Sequence, residues 1–154
     1  MIRFAFAAVA SLVLLTAVPV LAGPPLICFP FDTHGAKTLP MGSKGWQDID
    51  PTYDTSKLVD DTLALLTPEA PIIVHMETLR RATIYASTKP GLGAALLSRI
   101  DERARTATPS FAPVASFDFD YLVETYRQAA PVFKTLPSVD HFAKSSMASR
   151  VSGR

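Results

Sequence analysis

Thirteen prolines divide this 154-residue chain, and they limit what it can fold into. Proline lacks a backbone N–H and clashes with the preceding helical turn, so it breaks helix interiors and central strands. The proline-free stretches 52–67, 72–89, 91–108 and 114–130 admit helices of up to about five turns. Each carries an apolar repeat of helical period, so these stretches predict an all-α chain with prolines at its boundaries.

In residues 53–66, Leu58, Val59, Thr62, Leu63 and Leu66 share one helical face. Asp54 is expected in the first turn of that helix, where the dipole favours a negative charge. Thr67-Pro68-Glu69 reads as a helix start, and Pro71 is an alternative that moves the start to Ala70. Ile72, Met76, Leu79, Thr83 and Ala86 extend that helix to about Ala86, with Glu77 and Arg81 paired on its outer face. Lys89-Pro90-Gly91 is a tight break. A helix follows from about Pro90 to Thr106, with Leu92, Leu96, Ile100 and Ala104 on one face and an Asp101–Arg105 pair. So short a connection predicts an antiparallel helix hairpin. The last long helix covers about Val114 to Ala130, with Ala115, Phe119, Leu122, Tyr126 and Ala129 inward, and Pro131 closes it. Val139, Phe142, Ala143 and Met147 allow one short helix before a basic terminus.

Residues 23–52 have no such period. Pro24, Pro25, Pro30 and Pro40, the run Gly42-Ser43-Lys44-Gly45 and the turn at Asp50-Pro51 predict an extended Pro/Gly-rich arm. Its apolar run Leu26-Ile27-Cys28-Phe29 is expected to pack, extended, on the helical body. Residues 1–22 read as a secretory signal peptide: Arg3, an apolar stretch broken only by Ser11 and Thr16, then Pro19 and Val20-Leu21-Ala22 as a cleavage site. The apolar residues 4–22 are just long enough to span a bilayer uncleaved. Pro19 and the residues before Gly23 favour cleavage, giving an exported chain, periplasmic or secreted, that meets the membrane only before processing. Without Arg3 the 15 basic residues fall to 14, equal to the 14 acidic ones. A neutral chain argues against nucleic acid as partner. Cys28 is the single cysteine, so no internal disulfide forms and a Cys28-linked dimer is the disulfide alternative.

Phe119-x-x-Leu122-Val123-x-x-Tyr126 resembles the first helix of a tetratricopeptide repeat, with Val123 where that repeat has Gly or Ala. Ala82, Tyr85 and Ala94 keep three positions of the pattern upstream, while Thr78 and Arg81 miss the aromatic and Leu positions. The resemblance implies stacked helix hairpins (TPR-like), beside the simpler reading of a small helical bundle. The chain also resembles uncharacterised exported bacterial proteins, through Gly23-Pro24-Pro25-Leu26, Cys28-x-Pro30-Phe31 and residues 121–129. That resemblance implies no activity.

Cys28, Asp32 and His34 are the one compact set of ligand-type residues, able to offer copper or zinc a thiolate, a carboxylate and an imidazole. Met41, His75 and Met76 would have to be recruited in space. His75 otherwise reads as a core or boundary histidine. Asp48-x-Asp50-x-x-x-Asp54 lacks the Gly and Glu of an EF-hand loop and is expected to start a helix. No Gly-x-Ser-x-Gly, His-Glu-x-x-His or Cys-x-x-Cys motif occurs.

These observations predict a helical domain over 53–137 and a weakly ordered tail over 138–154. The expected role is a non-catalytic protein-interaction or scaffold module without a cofactor. Its partner would be a protein or peptide of the cell envelope, met by Trp46, Tyr85, Tyr121 and Tyr126. The alternative is a periplasmic metal or redox protein built on Cys28 and His34.

Overall fold

A computed structural model describes residues 25–140 and Phe142. Residues 1–24, which hold the expected signal peptide and cleavage site, and residues 141 and 143–154 lie outside the described residues. Four α-helices form the body: α1 (Leu58–Leu65), α2 (Ile72–Ala86), α3 (Leu92–Thr106) and α4 (Ala112–Ala129). No strand occurs among the described residues, and no described helix is long and apolar enough to cross a membrane.

The local chemistry sets each helix start. Asp54 does not enter the first helix. Its carboxylate accepts from Ser56 N at 3.0 Å and Ser56 Oγ at 2.7 Å, making it the N-cap of a 3-10 turn (Thr55–Lys57). The α-helix follows only at Leu58. The next helix starts at Ile72, past both expected positions, because Pro71 pushes Ala70 out of the helical region. Thr67 to Ala70 forms a turn instead, closed by Ala70 N to Thr67 O at 3.1 Å. Gly91 carries a φ of 84° just before α3, a conformation that costs other residues. Pro113 sits in the first turn of α4, where its missing N–H does no harm.

Leu58, Leu66, Leu79, Leu96, Ile100 and Leu122 are fully buried in one core to which all four helices contribute. Burying a leucine side chain contributes about 1.5–3 kcal/mol. α4 packs along both α2 and α3, while α2 and α3 touch less. Of the residues that carry the repeat resemblance, Leu122, Val123 and Tyr126 are buried and Phe119 packs edge-on against Phe142 at 5.5 Å. Val139 is also buried, so packing continues past residue 137.

α2 is the centre of the molecule. Eleven of its 15 residues are buried, including His75, Glu77, Thr78, Arg80 and Thr83. An amphipathic helix on a bundle surface would leave one side wet. Here the arm covers that side. Ile27 packs with Ile84 and Ala129, and Cys28, Met41, Trp46 and Phe133 pack around them. The arm's apolar run is thus not extended: Leu26–Cys28 is one 3-10 turn that drives Ile27 into the body.

Candidate binding cleft

The covering of α2 puts charge in the interior. Glu77 and Arg81 pair at 2.6 Å as expected, but Glu77 is buried rather than on an outer face. Arg80, also buried, donates to the same carboxylate through Nε at 2.7 Å and Nη2 at 2.8 Å. Phe31 N adds a fourth donor at 3.0 Å. The guanidinium nitrogens then reach outward to the arm. Arg80 Nη1 donates to Ile27 O at 2.9 Å and Trp46 O at 3.2 Å, and Arg81 Nη1 donates to Leu39 O at 2.5 Å. A buried carboxylate is tolerated only when paired and hydrogen-bonded, and this one is. Burial pushes the Glu77 carboxyl up, but Arg80, the Phe31 N–H and Arg81 together hold it below its ordinary value.

Tyr85 completes the attachment. Its hydroxyl donates to Pro40 O at 2.8 Å and accepts from Asp50 N at 3.0 Å. Its ring lies against Tyr53, with centroids 4.8 Å apart. The result is a fixed wall at residues 37–40, which runs without a hydrogen-bonded partner strand. Between this wall and α1 lies a cleft of about 290 Å³, lined by Lys37, Thr38, Leu39, Pro40, Tyr53, Asp61, Ala64 and Leu65. Tyr53 donates its hydroxyl hydrogen to Asp61 Oδ2 at 2.8 Å. Among the described residues Lys37 has no side-chain partner, and it makes no ion pair with Asp61 across the cleft.

A second polar cluster locks α2 to α4. His75 Nδ1 lies 2.7 Å from Asp118 Oδ1, and Nε2 lies 3.0 Å from Thr67 O. A carbonyl only accepts, so Nε2 carries a hydrogen, and a second proton lies between Nδ1 and the carboxylate. Both residues are buried, which bars them from solvent and substrate. Asp118 Oδ2 and Thr78 Oγ1 are buried without a hydrogen-bond partner among the described residues. Burial lowers the Arg103 pKa, and the Asp118 charge opposes that shift. Arg103 also caps α1, donating to Leu63 O at 3.3 Å and to Leu66 O, while stacked over Phe111.

The residues singled out from sequence fall elsewhere. Tyr85 and Tyr126 are fully buried and Tyr121 nearly so, which leaves their rings no face for a partner. Tyr126 donates to Gly93 O at 3.1 Å, joining α4 to α3. Trp46 is half-buried and packs against Phe133 at 6.2 Å, capping the smaller apolar cluster. Cys28 packs half-buried against that cluster as a free thiol. Asp32 and His34 are strongly exposed and bond each other within one turn, His34 N to Asp32 Oδ1 at 2.8 Å. Among the described residues no three His, Cys, Asp or Glu side chains converge on a metal position. The acids at 48, 50 and 54 do not converge either. They serve Lys44 N, Thr52 and Ser56 in separate turns.

Sequence reasoning missed Lys37, Tyr53 and Asp61 as a group, because they come from three segments that only the folded arm brings together. It also missed Asp118, although an acid among the apolar positions of a helix was a readable signal. Comparison with protein families, curated proteins and solved structures finds no match.

Proposed function

We propose that this chain is an exported, non-catalytic interaction module that holds a peptide between residues 37–40 and α1. The observation that carries the reading is the preformed wall: Arg81, Tyr85 and the buried Glu77 node fix Leu39 and Pro40 in place. A rigid wall spares the partner the ordering cost that a loose arm would impose. Among the described residues the main chain of Lys37 and Thr38 has no hydrogen-bond partner, while the Leu39 and Pro40 carbonyls are taken by Arg81 and Tyr85. An extended peptide would therefore bond at Lys37 and Thr38 and seat a side chain beside Pro40, Ala64 and Leu65. Residues 1–22 support export, and the buried His75–Asp118 pair supports a structural rather than catalytic use of that histidine.

The test is an NMR titration of the full exported chain with a short peptide of alternating Ala and Leu. Amide shifts confined to residues 37–39 and 61–65 are the expected result. Shifts elsewhere, or none, overturn the reading.

A further inference from the structure

The cleft carries two opposite charges that do not neutralise each other. Lys37 stands on the arm wall and Asp61 on the α1 wall, and no ion pair joins them. Asp61 is held from one side only. Tyr53 occupies Oδ2 at 2.8 Å, which leaves Oδ1 free to accept. Tyr53 is itself fixed by its ring contact with Tyr85, and Tyr85 by Pro40 and Asp50. The carboxylate is thus positioned before any ligand arrives. Besides Thr38 and Tyr53, the rest of the lining is apolar, with Pro40, Ala64 and Leu65 in front of the buried Leu39. At about 290 Å³ the space lies at the lower edge of ligand pockets, which run from about 300 to 1,000 Å³.

The geometry points to a small zwitterion as the occupant: a dipeptide-sized molecule with both ends free. Its ammonium meets Asp61 Oδ1, its carboxylate meets Lys37, and an apolar side chain rests on Pro40, Ala64 and Leu65. A ligand with only a carboxylate would leave Asp61 unpaired beside it. A ligand with only an ammonium would do the same to Lys37. Tyr53 is a positioning residue, because it holds Asp61 rather than the ligand. This inference rests on the peptide-docking reading and narrows it from a passing chain to a free molecule with two ends.

Calorimetric titration of the full chain with glycyl-L-leucine, N-acetyl-glycyl-L-leucine and glycyl-L-leucinamide tests it. Glycyl-L-leucine should bind about tenfold or more tightly than either blocked compound, the loss expected when one charged contact is removed. Asp61→Asn should erase the penalty for the acetyl group, and Lys37→Met the penalty for the amide. Equal binding of all three compounds would overturn the zwitterion inference and leave peptide docking standing. Binding of none of them, nor of the longer Ala/Leu peptide, would remove both. The wild-type comparison needs no variant, so a misfolded mutant does not blunt the test.

Discussion

Arg80 is the largest buried side chain among the described residues, and it lies at i+3 from the carboxylate that neutralises it. A lysine there could not reach Glu77, Ile27 O and Trp46 O together, because an ammonium lacks the planar fork. The linked carboxylate makes stability depend on acid. The folded pKa of Glu77 lies below the ordinary 4.5, so its contribution is present above that pH. It is lost as pH falls through the folded value. Urea denaturation at stepped pH should show stability dropping below about pH 4.5, with a shallower drop in Glu77→Gln. The His75–Asp118 contact gives a second prediction. Asn at 118 can donate to a neutral His75 Nδ1 while Nε2 still donates to Thr67 O. Asp118→Asn should therefore cost about 1 kcal/mol. Asp118→Ala strands the imidazole and should cost about 3–5 kcal/mol. Equal losses in the two variants, measured by chemical denaturation, would contradict the proton arrangement.

Helix existence and face were readable at the scale of the element. Leu96 and Ile100 are buried on α3, Ala115, Leu122, Tyr126 and Ala129 on α4, and Leu58, Thr62 and Leu66 on or beside α1, as their spacing implies. The Asp101–Arg105 pair forms at 3.2 Å. Helix starts were less readable, because a side-chain cap at Asp54 and a proline at 71 competed with the periodic pattern. Gly91 shows how local such decisions are. A Cβ added there meets nothing within 4 Å, so only the left-handed backbone opposes substitution. Gly91→Ala should cost about 1–2 kcal/mol by thermal or urea unfolding, although Ala favours helix more than Gly. A neutral or stabilising result would mean that the turn before α3 relaxes.

The arm and the bundle are one body at the scale of the molecule. Tyr53, Tyr85 and Tyr126 bond across segments, Tyr121 is buried in the core, and the pKa of each of the four tyrosines lies above its ordinary value of 10. Burial is the first cause in every case, and it pushes Tyr121 up to about 12. Raised phenol pKa values favour the neutral form in the folded chain. Their contribution is full below about pH 10 and is lost as pH rises through the folded values. Phenolate absorbance should therefore rise steeply, together with alkaline unfolding followed by circular dichroism. A separate gentle titration near pH 10 would show that the arm leaves Tyr53 or Tyr85 open to water.

The sequence by itself determined the all-helical class, the proline boundaries and most of the inward faces, because periodicity and proline geometry are local. It also contained the Glu77–Arg81 pair, a contact set by one turn of helix. The tertiary structure decided which side of α2 is wet, and the answer is almost none. That outcome depends on residues 25–50 folding back over the helix, a long-range event invisible to spacing within α2. The same event turned an expected surface pair into a buried ionic node, took Tyr85 into the core, and set Lys37 opposite Asp61. The cleft is legible only there, because its walls meet through packing between distant segments rather than through any motif.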